Sequence, residues 1–279
     1  MTLPPAPEIK QIGRYAVETV IGRGAMGAVY RGTDPTTGRT VAIKTLALAH
    51  EFHGEALTEA RARFTREAQT AARLKHPAIA AVLESGEEQG LAYIVMEHVA
   101  GQSLVEFTTA GRLLAPVQVA AIGAQIADAL GHAHQHGVIH RDIKPANVLV
   151  DVDAGIAKVT DFGIALVTDA ARTRTGLMLG TPSYMSPEQM MGSRIDGRAD
   201  LYALGVVLFQ LLTGSLPHPQ ESMARLMQAI VNEPAPNVRT LRPEVPEALA
   251  RIVAQALRKP PPQRQADAAQ LAAELRGVN

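Results

Sequence analysis

The sequence predicts an α+β protein in which a small β-rich part with one main helix precedes a larger helical part. Three observations carry this expectation. Residues 14–48 hold short runs of β-branched and aromatic residues set around glycines. A stretch rich in Ala, Glu and Arg, without a breaker, fills 55–76. From about residue 100 the texture changes to apolar segments of helical length.

The elements follow in order. MTLPPAPEIK has three prolines and no apolar h-region, so it reads as a loose tail and not a signal peptide. YAVETVI, AVYRGT and TVAIKTL, the last two separated by the turn signal DPTTG (34–38), read as three antiparallel strands. EALTEARARFTREAQTAARLKH (55–76) reads as a helix stopped by Pro77, and 80–99 as a strand, a glycine turn and a strand. Further helices are expected over 116–137, 199–214 (ended by Gly214), 223–231, 246–258 and 266–277. The seam between the parts lies near EHVAG (97–101), and no internal repeat is visible.

Composition narrows the function. At 279 residues the chain can bury a large core, at the size where one core tends to split in two. The 27 Lys and Arg balance 27 Asp and Glu, so nothing points to nucleic acid or to a cationic partner. The absence of cysteine removes disulfides, thiolate metal sites and a cysteine nucleophile, and permits the cytosol. The longest apolar run, 201–212, is too short for a membrane span, so no membrane contact is expected of this segment. A larger membrane-anchored protein could still carry it as a cytoplasmic domain.

GRGAMG (22–27) fits G-x-G-x-x-G, a pattern shared by plain turns and dinucleotide folds. A dinucleotide fingerprint needs a helix straight after the third glycine and an acid about 20 residues on. Here strand-like AVYRGT follows and Ala47 holds the later position. The loop therefore links two strands, as a glycine hairpin or as a cradle whose N–H groups approach phosphate oxygens. Lys44, mid-strand in VAIK, either points to solvent or needs a partner, and the loop one hairpin earlier makes phosphate a natural one.

HRDIKPANVLV (140–150) crowds Arg141, Asp142, Lys144 and Asn147 ahead of three aliphatic residues. A polar turn before a buried strand would explain it. A triply charged group held on metal ions would explain it as well.

The glycine loop, VAIK, HRDIKPAN, DFG (161–163) and SPE (186–188) stand in one order along the chain. Together they resemble the eukaryotic-type protein kinases, over residues 14 to about 276. RFTREAQTAARLKHPAI, YIVMEHVAG, GTPSYMSPEQ and DLYALGVVLFQLLTG are similar to the bacterial serine/threonine group. The resemblance implies the bilobal protein kinase fold: a flexible tail over 1–13 and a kinase domain over 14–279. Within it the N-lobe would be 14–97, the hinge 97–101 and the C-lobe 102–276. It also implies a serine/threonine kinase using ATP with Mg²⁺, or Mn²⁺, on protein substrates.

The family's roles carry over by position. Ile21, Gly22, Gly24 and Gly27 would form the nucleotide loop. Lys44 would hold the α- and β-phosphates, fixed by Glu67. Val29, Ala42 and Leu149 would sandwich the adenine, with Met96 at the back of the pocket and Glu97 to Val99 as hinge. Asp142 would accept or orient the substrate hydroxyl proton, Lys144 would sit by the transferred phosphoryl, and Asn147 and Asp161 would bind the metal ions. Glu188 would pair with Arg264. Asp200 would receive backbone N–H groups from the 140–142 loop. His140 would pack under Phe162, and Thr181 would bridge Asp142 and Lys144. Thr173 and Thr175 would be phosphorylated by the kinase itself during transient self-association, raising activity, and Arg141 would meet a phosphate there. The plain alternatives are a surface charge for each acid and solvated loop residues for the two threonines.

Departures from the family pattern are few. SPE replaces the usual APE, HEFHGEALTE (50–59) reads as an extra loop, and Ala71 stands where many relatives carry a larger apolar residue. His132, His134, His136 and His140 suggest a metal cluster, but their helical spacing puts His134 off the face of the others. The competing function is a pseudokinase, an ATP-binding or scaffold module without transfer. A small-molecule kinase is disfavoured by the GTPSYMSPEQ segment, which implies a peptide shelf.

Overall fold

The computed structural model describes residues 9–24, 27–88, 90–162, 182–220 and 222–278, with only the backbone of His50 and Glu51. They form two compact units, the first from 9–75 and 80–98, the second from 76–79, 99–162 and 182–278.

The first unit is built on a six-stranded antiparallel sheet. Its strands are β1 (Gln11–Ile12), β2 (Tyr15–Gly24), β3 (Gly27–Thr33), β4 (Thr40–Leu46), β5 (Val82–Glu88) and β6 (Leu91–Glu97), in the order β1-β2-β3-β4-β6-β5. Side chains alternate across a strand, so Val41 and Ile43 of β4 and Tyr93 and Val95 of β6 share one face. With Ile12 and Tyr15 they form a closed apolar cluster. This cluster shortens the tail expected over 1–13. Ile12, 2% exposed, draws Gln11–Ile12 into the sheet opposite Tyr15 and Ala16, and residues 1–8 lie outside the described residues.

Helix α2 (Glu55–Ala71) buries Ala60, Phe64, Ala68 and Ala71, a stripe at helical spacing, and Arg61 pairs with Glu87 of β5. It ends five residues before the expected stop. The chain tightens through Leu74 N–H to Ala71 O at 3.0 Å, and Leu74 is 1% exposed. The loop expected over 50–59 is largely helical. A single turn, α1 (Leu48–Glu51), is anchored by buried Leu48 and Phe52, and α2 begins at Glu55.

The second unit is helical around the Arg198–Thr213 helix, whose residues from Ala199 to Phe209 are all buried. Gly214 ends it in the left-handed conformation (φ 74°), donating its N–H to Gln210 O at 2.7 Å. Helix α3 (Pro116–Gln135) packs against it and against the Ala268–Arg276 helix. A Cβ on Gly123 would lie 2.7 Å from Leu208 and 3.2 Å from Leu275, so glycine lets α3 approach both. Shorter helices at Pro187–Met190, Met223–Asn232, Val238–Leu241 and Glu247–Ala256 complete the unit. A small sheet of β7 (Gln102–Ser103), β8 (Val148–Asp151) and β9 (Ile156–Val159) carries the 140–147 segment at one end. Among the described residues no helix is long and apolar enough to cross a membrane.

Candidate active site

Asp200, in the first turn of the Arg198–Thr213 helix, is fully buried, and its carboxylate organises the segment that precedes β8. Oδ2 accepts the N–H of His140 at 2.9 Å, and Oδ1 accepts that of Arg141 at 2.8 Å. His134 of α3 places Nε2 2.8 Å from Oδ2. Gln189 Nε2 donates to the Arg141 carbonyl at 2.9 Å. Both backbone polar groups of Arg141 are thus fixed while it holds φ 68°, a conformation that costs a non-glycine residue about 1–3 kcal/mol. Asp161 has a similar φ, 66°. The Arg141 Nε is buried and has no hydrogen-bond partner among the described residues.

The fixed backbone presents three polar side chains together. Lys144 Nζ lies 2.7 Å from Asp142 Oδ2. Asn147 Nδ2 donates to the Asp142 carbonyl at 2.7 Å and to Oδ2 at 3.1 Å. Asp142 Oδ2 therefore has two donors, and its carboxylate stays partly open, with 38% of the side chain exposed. Val148 and Val150, both buried, root the segment in the core. His140 has its Nε2 2.9 Å from Thr160 O, and its ring meets Phe162 edge-on with centroids 4.7 Å apart.

Glu188 and Arg264 form a two-pronged ion pair, Nη1–Oε1 at 2.6 Å and Nη2–Oε2 at 2.8 Å, with both side chains buried. The guanidinium also donates to the carbonyls of Arg198, Arg258 and Lys259. Beside it, burial and then the Arg264 charge push Lys259 down to about 8.

In the first unit Gly22 faces Val29 and Gly24 faces Gly27 across the β2–β3 ladder, and Ile21 is half-exposed. Val29 lies opposite Lys44, Ala42 opposite Met96, and Val41 opposite Glu97. Ala42 and Met96 are buried, Lys44 and Glu97 partly so, and Glu67 lies partly buried on α2. Val99 and Leu149, both partly buried, belong to the second unit. Gly163, Thr173, Thr175 and Thr181 lie outside the described residues.

The histidine-rich stretch divides its work. His134 turns to Asp200, while the rings of His132 and His136 meet at a tilt of 42° with centroids 4.4 Å apart. The parts played by His134 and Gln189 were not legible in the sequence, since their contacts span 66 and 48 residues and leave no local pattern.

Comparison with known proteins follows the same lines. Residues 15–274 match the family described as protein kinase domain. The serine/threonine-protein kinase pkn3 of Myxococcus xanthus is 41% identical over 277 residues, covering 95% of this chain and 50% of that protein. PrkC of Bacillus subtilis is 40% identical over 265 residues, covering 95% and 40%. PknD of Mycobacterium tuberculosis is 40% identical over 264 residues, covering 94% and 39%. The chain thus spans half or less of the length of these relatives. Among solved structures, Rad53 1–466 in complex with AMP-PNP superposes with a TM-score of 0.77 at 26% identity, covering 93% of this chain and 64% of that one. The matched span runs from Tyr15 into the Ala268–Arg276 helix, and the chain belongs to the protein kinase family.

Proposed function

We propose that the chain is an active serine/threonine protein kinase, moving the γ-phosphate of ATP to Ser and Thr hydroxyls of protein substrates. The observation that carries this is the Asp142–Lys144–Asn147 constellation hung from the Asp200 carboxylate. The alternative, a pseudokinase, lacks support because Lys44, Asp142, Asn147 and Asp161 are all present. The domain would run over 14–279 with its hinge near 97–101, in the cytoplasm, by itself or as the cytoplasmic domain of a larger membrane-anchored protein.

The residues fit ATP with a divalent metal. Among the described residues a Cβ on Gly24 would meet only Gly27 O, at 3.8 Å, and one on Gly22 only Val29, at 3.6 Å or more. The packing of the described residues does not demand glycine there, whereas close approach of phosphate would. Asn147 commits its Nδ2 to Asp142, which leaves Oδ1, a neutral oxygen suited to a hard cation. Asp161 offers a carboxylate from a second segment. Bound metal would spread the charge of the phosphoryl oxygens. Lys44 aligns the phosphates, held by Glu67. Val29, Ala42 and Met96 would meet the base, and the backbone of 97–98 would read its edge. Lys144 orients Asp142 through Oδ2, so that the other carboxylate oxygen takes the substrate hydroxyl proton.

Two tests follow. Nucleotide affinity measured by calorimetry should fall at least tenfold in EDTA and recover with Mg²⁺ or Mn²⁺, and the Asn147→Ala, Asp161→Ala variant should lose that dependence. Equal affinity with and without metal contradicts the metal assignment.

The Arg141 Nε, buried without a partner among the described residues, supports regulation by phosphate on Thr173 and Thr175, since a phosphothreonine adds close to two negative charges and three acceptors. Self-association between molecules would place it, and Thr181 would stay unmodified. Mass spectrometry of wild type and Lys44→Met from one host should find phosphate on these threonines only in the wild type. The same phosphate in the inactive variant would refute autophosphorylation.

A further inference from the structure

The residue after the strand lysine makes an arrangement that the motif pattern does not account for. Thr45 is 4% exposed in β4, and successive strand residues face opposite ways, so it points away from the side of Lys44. The β3–β4 ladder pairs Val29 with Lys44 and stops there. One residue further, Ala28 would need the next rung. The Thr45 hydroxyl supplies it: Oγ1 accepts the Ala28 N–H at 3.2 Å and donates to Ala28 O at 3.1 Å. Both hydrogen bonds are buried.

The neighbouring residue is tied to the same spot. A Cβ on Gly27 would lie 1.9 Å from Thr45 O and 3.3 Å from Thr45 Oγ1. Gly27 is glycine because the β4 backbone passes through the space a side chain would fill, a reason distinct from that of Gly22 and Gly24. The last glycine of the loop thus rests on the Thr45 carbonyl, and the residue after it is clasped by the Thr45 hydroxyl. Valine at 45 would keep the shape and the β-branching but leave both polar groups of Ala28 buried without partners.

We propose that Thr45 is a positioning residue for nucleotide binding, fixing the Gly27–Ala28 end of the glycine loop to the strand that carries Lys44. The inference rests on the kinase reading, in which the loop and Lys44 act on the same phosphates. An error of about 1 Å between two such groups is enough to weaken their joint grip. The effect falls on ATP and not on the 140–147 segment, which belongs to the other unit.

The test is steady-state kinetics of Thr45→Val and Thr45→Ser with amide hydrogen exchange. Thr45→Val should raise KM for ATP about tenfold, with kcat at saturating ATP and KM for the protein substrate within about twofold of wild type. Exchange at the Ala28 amide should accelerate in the same variant. Thr45→Ser, which retains the hydroxyl, should restore both. If the valine variant is insoluble, Thr45→Ala carries the same comparison. An unchanged KM for ATP, a fall in kcat alone, or a serine variant as impaired as valine overturns the inference. Absence of transfer in the wild type would instead sink the kinase reading, and unaccelerated Ala28 exchange would still decide against the clasp.

Discussion

Asp142→Asn should lower kcat by about 10² to 10⁴-fold while leaving the apparent Tm and the KM for ATP close to wild type. The side chain keeps its size. With asparagine, the two donors at Oδ2, Lys144 Nζ at 2.7 Å and Asn147 Nδ2 at 3.1 Å, select the orientation that turns the amide oxygen toward them. The amide NH₂ then occupies the place of the other carboxylate oxygen. It offers a donor where the reaction needs an acceptor, so the substrate hydroxyl loses its base while the constellation stays intact. Single-turnover phosphoryl transfer by the purified variant checks this. A rate within tenfold of wild type contradicts the role of Asp142.

The second large effect is on stability. Arg264→Ala leaves the Glu188 carboxylate buried without its counter-charge and strips donors from the carbonyls of Arg198, Arg258 and Lys259. Breaking a buried pair from one side costs about 3–5 kcal/mol, which for a chain of this size lowers the apparent Tm by about 10 °C. Arg264→Lys should recover only part of the loss, because an ammonium cannot span both carboxylate oxygens and three carbonyls. Removing both charges, as in Glu188→Leu with Arg264→Met, should be milder than Arg264→Ala alone. Thermal unfolding followed by circular dichroism reads all three. A Tm shift of Arg264→Ala below about 2 °C would show that the pair does not tie the Pro187–Met190 helix to the rest of the unit.

The residues differ in how far they could be read from the sequence, and the difference is physical. Asp142, Lys144 and Asn147 lie within six positions, so their spacing is local, and the structure brings the three together. Asp200 stands next to LYALGVV, and a charge abutting an apolar helix invites the expectation of a buried acceptor. Strand β1 and helix α1 were missed because two and four residues are too short to show a period. What fixes them is the burial of Ile12, Leu48 and Phe52, which depends on partners far along the chain. Thr45 and Gln189 escaped for the same reason. A hydroxyl in a strand and an amide in a short helix look ordinary until tertiary packing sets Ala28 and Arg141 against them.

The most direct measurement is incubation of the purified chain with γ-labelled ATP, Mg²⁺ and a generic protein substrate, followed by phosphoamino-acid analysis, with Lys44→Met alongside. The wild type should place label on phosphoserine and phosphothreonine, and the variant none above background. Label on neither residue, or equal label from Lys44→Met, would contradict the kinase reading.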